Sequence, residues 1–277
     1  MKRLIGLLLV IWVSGNAFSQ KMPSDYFDEG FDYLENEEPQ KALESFQYIV
    51  DNHPKNELYP RAFYNLGYIY YQEKEYDKSI KLFKTILTGN FNETEVLGGD
   101  IMADPYANYR HRASLLLYNI YFQTEQYDSS LYYLGQSDSV YKYMHFCGNA
   151  YAQQGISQAM QYAALYEKMD EVDKAIQILL PHVFVSLADN KGLLEDLKKL
   201  LHQEPHYYRL EKDLERALYR MKSVHETNGE YEYTRYYFTF KKVEIRIPSN
   251  FIDDDFNKTA TVNKIKQTNF YKMVKSL

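Results

Sequence analysis

Two stretches of this chain decide how it folds: GFDYLENEEPQKALESF at residues 30–46 and GYIYYQEKEYDKSIKLF at residues 67–83. Gly30, Tyr33, Ala42 and Phe46 of the first correspond to Gly67, Tyr70, Ser79 and Phe83 of the second, 37 residues further on. A fixed period of this length is the mark of stacked helix pairs, because one pair cannot bury its apolar face alone and its neighbours complete the core.

Outward from the first copy, apolar residues recur at helical spacing in two runs. The runs are Tyr26, Phe27, Gly30, Phe31, Tyr33, Leu34 and then Ala42, Leu43, Phe46, Ile49, Val50. Asn36 to Pro39 make the turn between them, with Pro39 where a first helical turn tolerates it, and Pro54 ends the second helix. The second copy covers Tyr59 to Thr88. A third is weaker, with Tyr118 in place of the small residue and with Tyr121, Ser130 and Leu134 in register; a fourth places Ala163, Tyr166, Ala175 and Leu179.

A large apolar residue, Leu66-Gly67, Tyr70, a turn, Tyr76, a small residue at Ser79 and an aromatic at Phe83 resemble the tetratricopeptide repeat. That resemblance, over roughly Ser24 to Val183, implies an α-solenoid of stacked helix hairpins. Gly30, Ala42, Gly67, Ser79, Ala163 and Ala175 would permit close helix approach, and Phe46 and Phe83 would fill the space beside them. It also implies that the first helix of each hairpin lines a concave face. The residues offered there are Phe27, Phe31, Arg61, Tyr64, Asn65, Tyr68, Tyr71, Arg112, Leu115 and Asn119. Aromatic side chains interleaved with Arg and Asn suit a peptide or a partner helix. Some members of the family clamp a terminal carboxylate with Lys, Asn and Arg, but only Asn65 fits that pattern here.

The expected organisation is a signal peptide at 1–19, tetratricopeptide-like repeats over 20–187 with insertions at 89–104 and 140–148, a closing helix pair at 188–228, and a C-terminal part at 229–277. The leader has Lys2 and Arg3, an apolar run from Leu4 to Val13 too short to span a bilayer, and small residues at Ala17 and Ser19 before the expected cut. The chain is therefore expected to be exported, to the periplasm or beyond, with no stable membrane span after cleavage. The closing pair is marked by Leu193, Leu194, Leu197, Leu200 and Leu201, then by Tyr208, Leu210, Leu214, Ala217, Leu218 and Met221, running to a stop near Asn228-Gly229.

Residues 231–247 are rich in aromatic and β-branched side chains and read as a strand or hairpin. Lys241-Lys242 is the only polar place for a turn, and without a hairpin an outside strand would be needed. One amphipathic helix with Val262, Ile265, Phe270, Met273 and Leu277 is expected to close the chain, with Asp253 to Asp255 at its start.

Composition narrows the function. A net charge of −6 argues against a nucleic-acid partner. The single cysteine, Cys147, precludes an internal disulfide, so packing must hold the fold; 29 Tyr and 15 Phe supply it. No catalytic set and no cofactor is indicated. His202 and His206 are separated by Pro205, which removes the one-face geometry of a zinc helix, and Asp253, Asp255 and Asn257 imitate a calcium loop that then fails at Lys258 and Lys264. The expected function is a non-enzymatic protein-binding adaptor of the cell envelope. The alternatives are a structural subunit docking through the C-terminal β segment, and an enzyme with its site in the insertions.

Overall fold

A computed structural model describes residues 21–97, 104–185, 188–229 and 231–277. The expected leader at 1–19 and the middle of the first insertion, with Gly98 and Gly99, lie outside the described residues. The described residues form twelve α-helices and one three-stranded antiparallel sheet. None of the described helices is long and apolar enough to cross a membrane. Two compact units divide the chain, Met1–Glu73 and Lys74–Leu277.

In the first unit α1 (Pro23–Glu35), α2 (Pro39–Asn52) and α3 (Tyr59–Gln72) each carry a proline in the opening turn. The missing N–H has no helical partner there, so proline fixes φ without sacrificing a bond. Helices α1 and α2 form a hairpin around Phe46, which is fully buried beside Ala42. A Cβ at Gly30 would stand 2.6 Å from Phe46 Cζ, so the ring occupies the volume that any larger residue would claim. Phe27 and Phe31 meet the same ring edge-on, with centroids 5.6 and 5.5 Å away. Tyr26 stacks on Tyr48 at 4.0 Å.

The hairpin turn repeats along the chain. At the end of α1, Glu37 takes a left-handed φ of 58°, its N–H donates to the Leu34 carbonyl, and the Glu38 N–H reaches back to the Tyr33 carbonyl at 2.8 Å. Glu125 with Gln126 and Asp170 with Glu171 make the same pair of bonds, to Phe122 and Tyr121 and to Glu167 and Tyr166. This is the Schellman ending, which satisfies carbonyls left over at a helix C-terminus. Glycine usually supplies its left-handed residue; here Glu37, Lys74, Glu125 and Asp170 do so, at a cost of about 1 kcal/mol each. Ion pairs Glu38 to Lys41, Glu75 to Lys78 and Glu171 to Lys174 follow at the same place in the next helix.

The second unit begins with α4 (Tyr76–Thr88), α5 (Tyr109–Gln123) and α6 (Tyr127–Gly135), the last running into a π-helical turn at Gln136–Val140. Then come α7 (Gly148–Lys168), α8 (Val172–Leu179), α9 (Lys191–His202) and α10 (Leu210–Tyr219). Helices α5 with α6 and α7 with α8 form two further hairpins. Tyr118, in the position of the repeat's small residue, is buried with Leu134 and Leu165, and its hydroxyl extends to the Gln161 carbonyl of α7 at 3.5 Å. Opposite it Ser130 stays small and donates to the Tyr118 carbonyl at 3.0 Å.

After α10 come β1 (Lys222–Asn228), β2 (Tyr231–Phe240) and β3 (Val243–Ile247), in the order β1-β2-β3, then α11 (Lys258–Lys266) and α12 (Asn269–Lys275). Buried side chains of the sheet (Phe238, Phe240, Ile245, Ile247) share one core with leucines of α9 and α10 and with Val262, Ile265 and Phe270. Phe184 meets Phe238, Phe251 and Phe270 edge-on within that core.

The C-terminal part departs from expectation at residues 222–228 and in its closing helix, while of the two readings of residues 231–247 the hairpin is the one observed. Residues 222–228 are a strand rather than the end of a helix, because they carry no apolar helical stripe and pair in full register with residues 231–237. The backbone of β2 is thereby served on both sides, by β1 and β3, and needs no outside strand. The β2–β3 turn falls at Lys241-Lys242 with φ of 50° and 66°, left-handed at both positions as a two-residue hairpin requires. Finally, the single closing helix is two helices. Thr268 breaks it and caps α12 by accepting the Tyr271 N–H at 3.2 Å, while Asn257, not the aspartate run, caps α11 through the Ala260 N–H. Asp253 pairs with Lys264 instead.

The glycine contacts yield a direct comparison. Gly30→Ala should lower stability by about 1–3 kcal/mol through overpacking against Phe46. Gly148→Ala, whose Cβ meets nothing within 4 Å, should be neutral or stabilising by up to about 1 kcal/mol. Urea denaturation of the two variants measures both; equal effects would contradict the Gly30–Phe46 contact.

Candidate functional site

The two insertions converge on the head of α5. Residues 93–97 and 105–108 run antiparallel, joined by Leu97 N–H to the Pro105 carbonyl (3.1 Å), Ala107 N–H to Glu95 (2.9 Å) and Asn108 N–H to Glu93 (3.1 Å). Asn108 then adopts a left-handed φ of 48° with its side chain fully buried. Asparagine tolerates this conformation better than most residues because its amide finds local or tertiary partners. Here that amide grips the second insertion, donating to the Met144 carbonyl and accepting the Met144 N–H, both at 2.9 Å.

Three successive residues of α5 extend the junction. Arg110 pairs with Glu93 at 2.9 Å and also donates to the Phe91 and Gly89 carbonyls. Burial holds the Glu93 carboxyl above its ordinary range, and Arg110 only partly offsets this. His111 Nδ1 lies 3.2 Å from the Ser137 carbonyl and 2.9 Å from that of Tyr141, so this nitrogen carries the proton; Nε2 accepts from the Gln154 amide at 3.3 Å. Arg112 pairs with Asp104 at 2.8 Å, and Asp104 also accepts the Tyr143 hydroxyl. Burial first, and then Asp104, push that phenol well above its usual range.

Beyond Tyr143, the backbone of His145 is held by the Tyr151 hydroxyl, and its Nδ1 accepts the Cys147 N–H at 2.9 Å. An open cleft of about 890 Å³ lies alongside, lined by residues including Phe91, Glu93, Arg110, Tyr141 and Met144. Each polar group at this junction fastens one segment to another. Among the described residues, both nitrogens of His111 are engaged, and Arg110 and Arg112 each pair with a carboxylate. These pairings were not legible in the sequence, because the partners lie 8 to 43 positions apart with no periodicity linking them.

The residues proposed for a concave face fall in both units. In the first, Phe27 is half-buried and Phe31 is 43% exposed, with one edge of each ring committed to Phe46. On α3, Tyr64, Tyr68 and Tyr71 form a row with ring centroids 6.5 and 6.3 Å apart; Tyr68 is 41% exposed and Arg61, Tyr64, Asn65 and Tyr71 are half-buried. In the second unit Arg112 is tied to Asp104, Leu115 packs against the cluster of Tyr118, Leu134 and Leu165, and Asn119 is half-buried. Of the packing residues, Ala42, Phe46, Ser79, Phe83, Ala163 and Ala175 are buried by 97% or more, and Gly30 and Gly67 are buried too. His202 packs on Tyr207 and His206 meets Tyr208 edge-on. Among the described residues no group of three or more His, Cys, Asp or Glu is placed to hold a metal ion.

His111 makes the junction sensitive to acid. Burial pushes its pKa below the ordinary 6.5, and carbonyls of Ser137 and Tyr141 oppose that only in part; His182 is lowered by burial as well. Below 6.5 the unfolded chain binds protons that the native chain refuses, so stability present above that pH declines as pH falls through the folded-state pKa values. Melting temperature should therefore drop from pH 7 to pH 5, and the slope should be shallower in His111→Gln. A slope unchanged by that substitution would show that His111 titrates as freely in the fold as in the unfolded chain.

No family model and no curated protein matches the chain.

Proposed function

We propose that the protein is a non-enzymatic scaffold of tetratricopeptide-like helix hairpins, exported to the cell envelope, which holds a partner protein on the first helices of its hairpins. The observation that carries this reading is the tyrosine row of α3. Tyr64, Tyr68 and Tyr71 recur at i, i+4 and i+7 on one helix face, flanked by Arg61 and Asn65, and they remain partly open to solvent. A tyrosine ring contributes large contact area for two rotatable bonds and keeps a hydroxyl for directional bonding, which is why it recurs at interface centres. Arg and Asn beside it add polar selectivity.

The junction at the head of α5 supports the non-enzymatic reading, since Arg110, His111 and Arg112 are engaged in joining the insertions. Export rests on the residues before Gln20, in which a basic start, a short apolar run and small residues succeed one another.

Photo-crosslinking in intact cells tests the proposal. A benzoyl-phenylalanine at Tyr68 should trap a discrete partner protein, whereas the same group at exposed Gln40 of α2 should not. With the benzoyl-phenylalanine kept at position 68, Arg61→Ala, Tyr64→Ala and Tyr71→Ala together should reduce that adduct by at least about tenfold without altering the far-ultraviolet circular dichroism. Equal crosslinking from both positions, or no protein adduct under any growth condition, would overturn it.

A further inference from the structure

Among the described residues no further strand pairs with the outward edge of β1. Strand β3 lies against the 3₁₀ turn Leu180–His182, whereas β1 pairs only with β2. The two-residue connection after Asn228 makes Asn228 and Tyr231 a hydrogen-bonded pair, and strict alternation then assigns Glu226, Val224 and Lys222 to bonds with β2. Backbone groups of Ser223, His225 and Thr227 must point the other way. Among the described residues no backbone hydrogen bond outside the sheet reaches any of them, and all three residues are exposed. Such an edge is a template for another strand unless a proline, a bulge or a covering segment blunts it. Strand β1 contains no proline, and its pairing with β2 is free of bulges.

We propose that β1 is the interface of a homodimer, pairing antiparallel with β1 of a second copy about a two-fold axis at Val224. This goes beyond the partner-binding role and does not depend on it. The occupant is argued from charge. In this register Ser223 and His225 exchange backbone bonds with His225 and Ser223 of the second copy, and Val224 opposes Val224. On the outer face Lys222 then stands opposite Glu226 of the second copy, and this happens twice.

Within each chain Lys222 already pairs with Glu244, and Glu226 with Arg235 at 2.9 Å. The dimer therefore completes a row of alternating sign, Glu244, Lys222, Glu226 and Arg235, crossing from one chain to the other. Shifting the strands by two residues would place Lys222 opposite Asn228 and lose that alternation. Opposite charges directly across a strand pair are favourable and like charges are not. The contact is small, well below the roughly 1,200 Å² of a standard stable interface, so the dimer is a weak one that forms with rising concentration.

Sedimentation equilibrium of the full exported chain should show reversible dimerisation. His225→Pro should abolish it with little change in melting temperature, since proline is tolerated on an edge strand where its N–H faced outward. The register is read by cysteine pairing in a Cys147→Ser background. Residues opposed in a non-hydrogen-bonded antiparallel pair lie about 4.5 Å apart at Cα, within disulfide range, so Val224→Cys should crosslink at least about tenfold faster than Lys222→Cys under copper-phenanthroline.

A wild-type chain that stays monomeric at millimolar concentration overturns the proposal. So do equal crosslinking rates at 222 and 224, crosslinking of Val224→Cys only to a foreign protein, or hydrogen-exchange protection of the Ser223 and His225 amides that is independent of protein concentration.

Discussion

The first hairpin depends on the contact between Gly30 and Phe46. A benzyl ring fully buried between two helices needs a position on the facing helix with no side chain, and only glycine supplies it when the nearest ring carbon lies 2.6 Å from where a Cβ would stand. With Phe46 seated, Phe27 and Phe31 close on it edge-on and Ala42 lets the helices approach. The turn between them must then be tight. That tightness explains why Glu37 accepts a left-handed conformation that most residues avoid, and why Glu125 and Asp170 do the same in later hairpins. Packing gain outweighs about 1 kcal/mol of local strain, and the strain recurs because the geometry recurs.

Where the small residue is lost, the structure finds a different solution. Tyr118 sends its ring and hydroxyl toward α7, and Ser130 keeps the local approach close by bonding the Tyr118 carbonyl. The third hairpin is thus tied forward to the fourth by a side chain that, in a regular repeat, would be absent. Next to it the insertions are joined by buried polar bonds, with the Asn108 amide making two bonds to one backbone residue. A buried amide fully satisfied in this way specifies one arrangement, since any shift of the loop would leave both partners unpaired.

The C-terminal part obeys a different constraint. An isolated two-stranded ribbon is marginal in water, so β2 requires a strand on each side and a helical layer over its apolar face. Strands β1 and β3 supply the first, and α9 to α12 the second. Among the described residues, no further strand pairs with the outward edge of β1. The same rule that built the sheet makes that edge the place where its growth can continue.

Periodicity and residue size carried much of this fold in the sequence itself. Spacing of Gly30, Tyr33, Ala42 and Phe46 sufficed to identify the hairpins, since a helix turn positions i, i+3 and i+4 together whatever surrounds it. The aromatic run at 231–247 marked strands for a similar reason. Residues 222–228 did not, because Val224 and Thr227 are the only strand-favouring residues among Lys, Ser, His, Glu and Asn, and the stretch pairs only once β2 offers it an edge. The turn at Lys241-Lys242 lacked Gly or Asn, and Thr268 looked like any polar residue on a helix until the core demanded a bend. Nor could composition reveal the junction of Glu93, Asp104, Asn108, His111 and Tyr143, whose members meet only when two loops are folded onto one helix. Local geometry is written in spacing along the chain; contacts between distant loops, and the identity of an open edge, are decided by which surfaces the tertiary fold leaves facing each other.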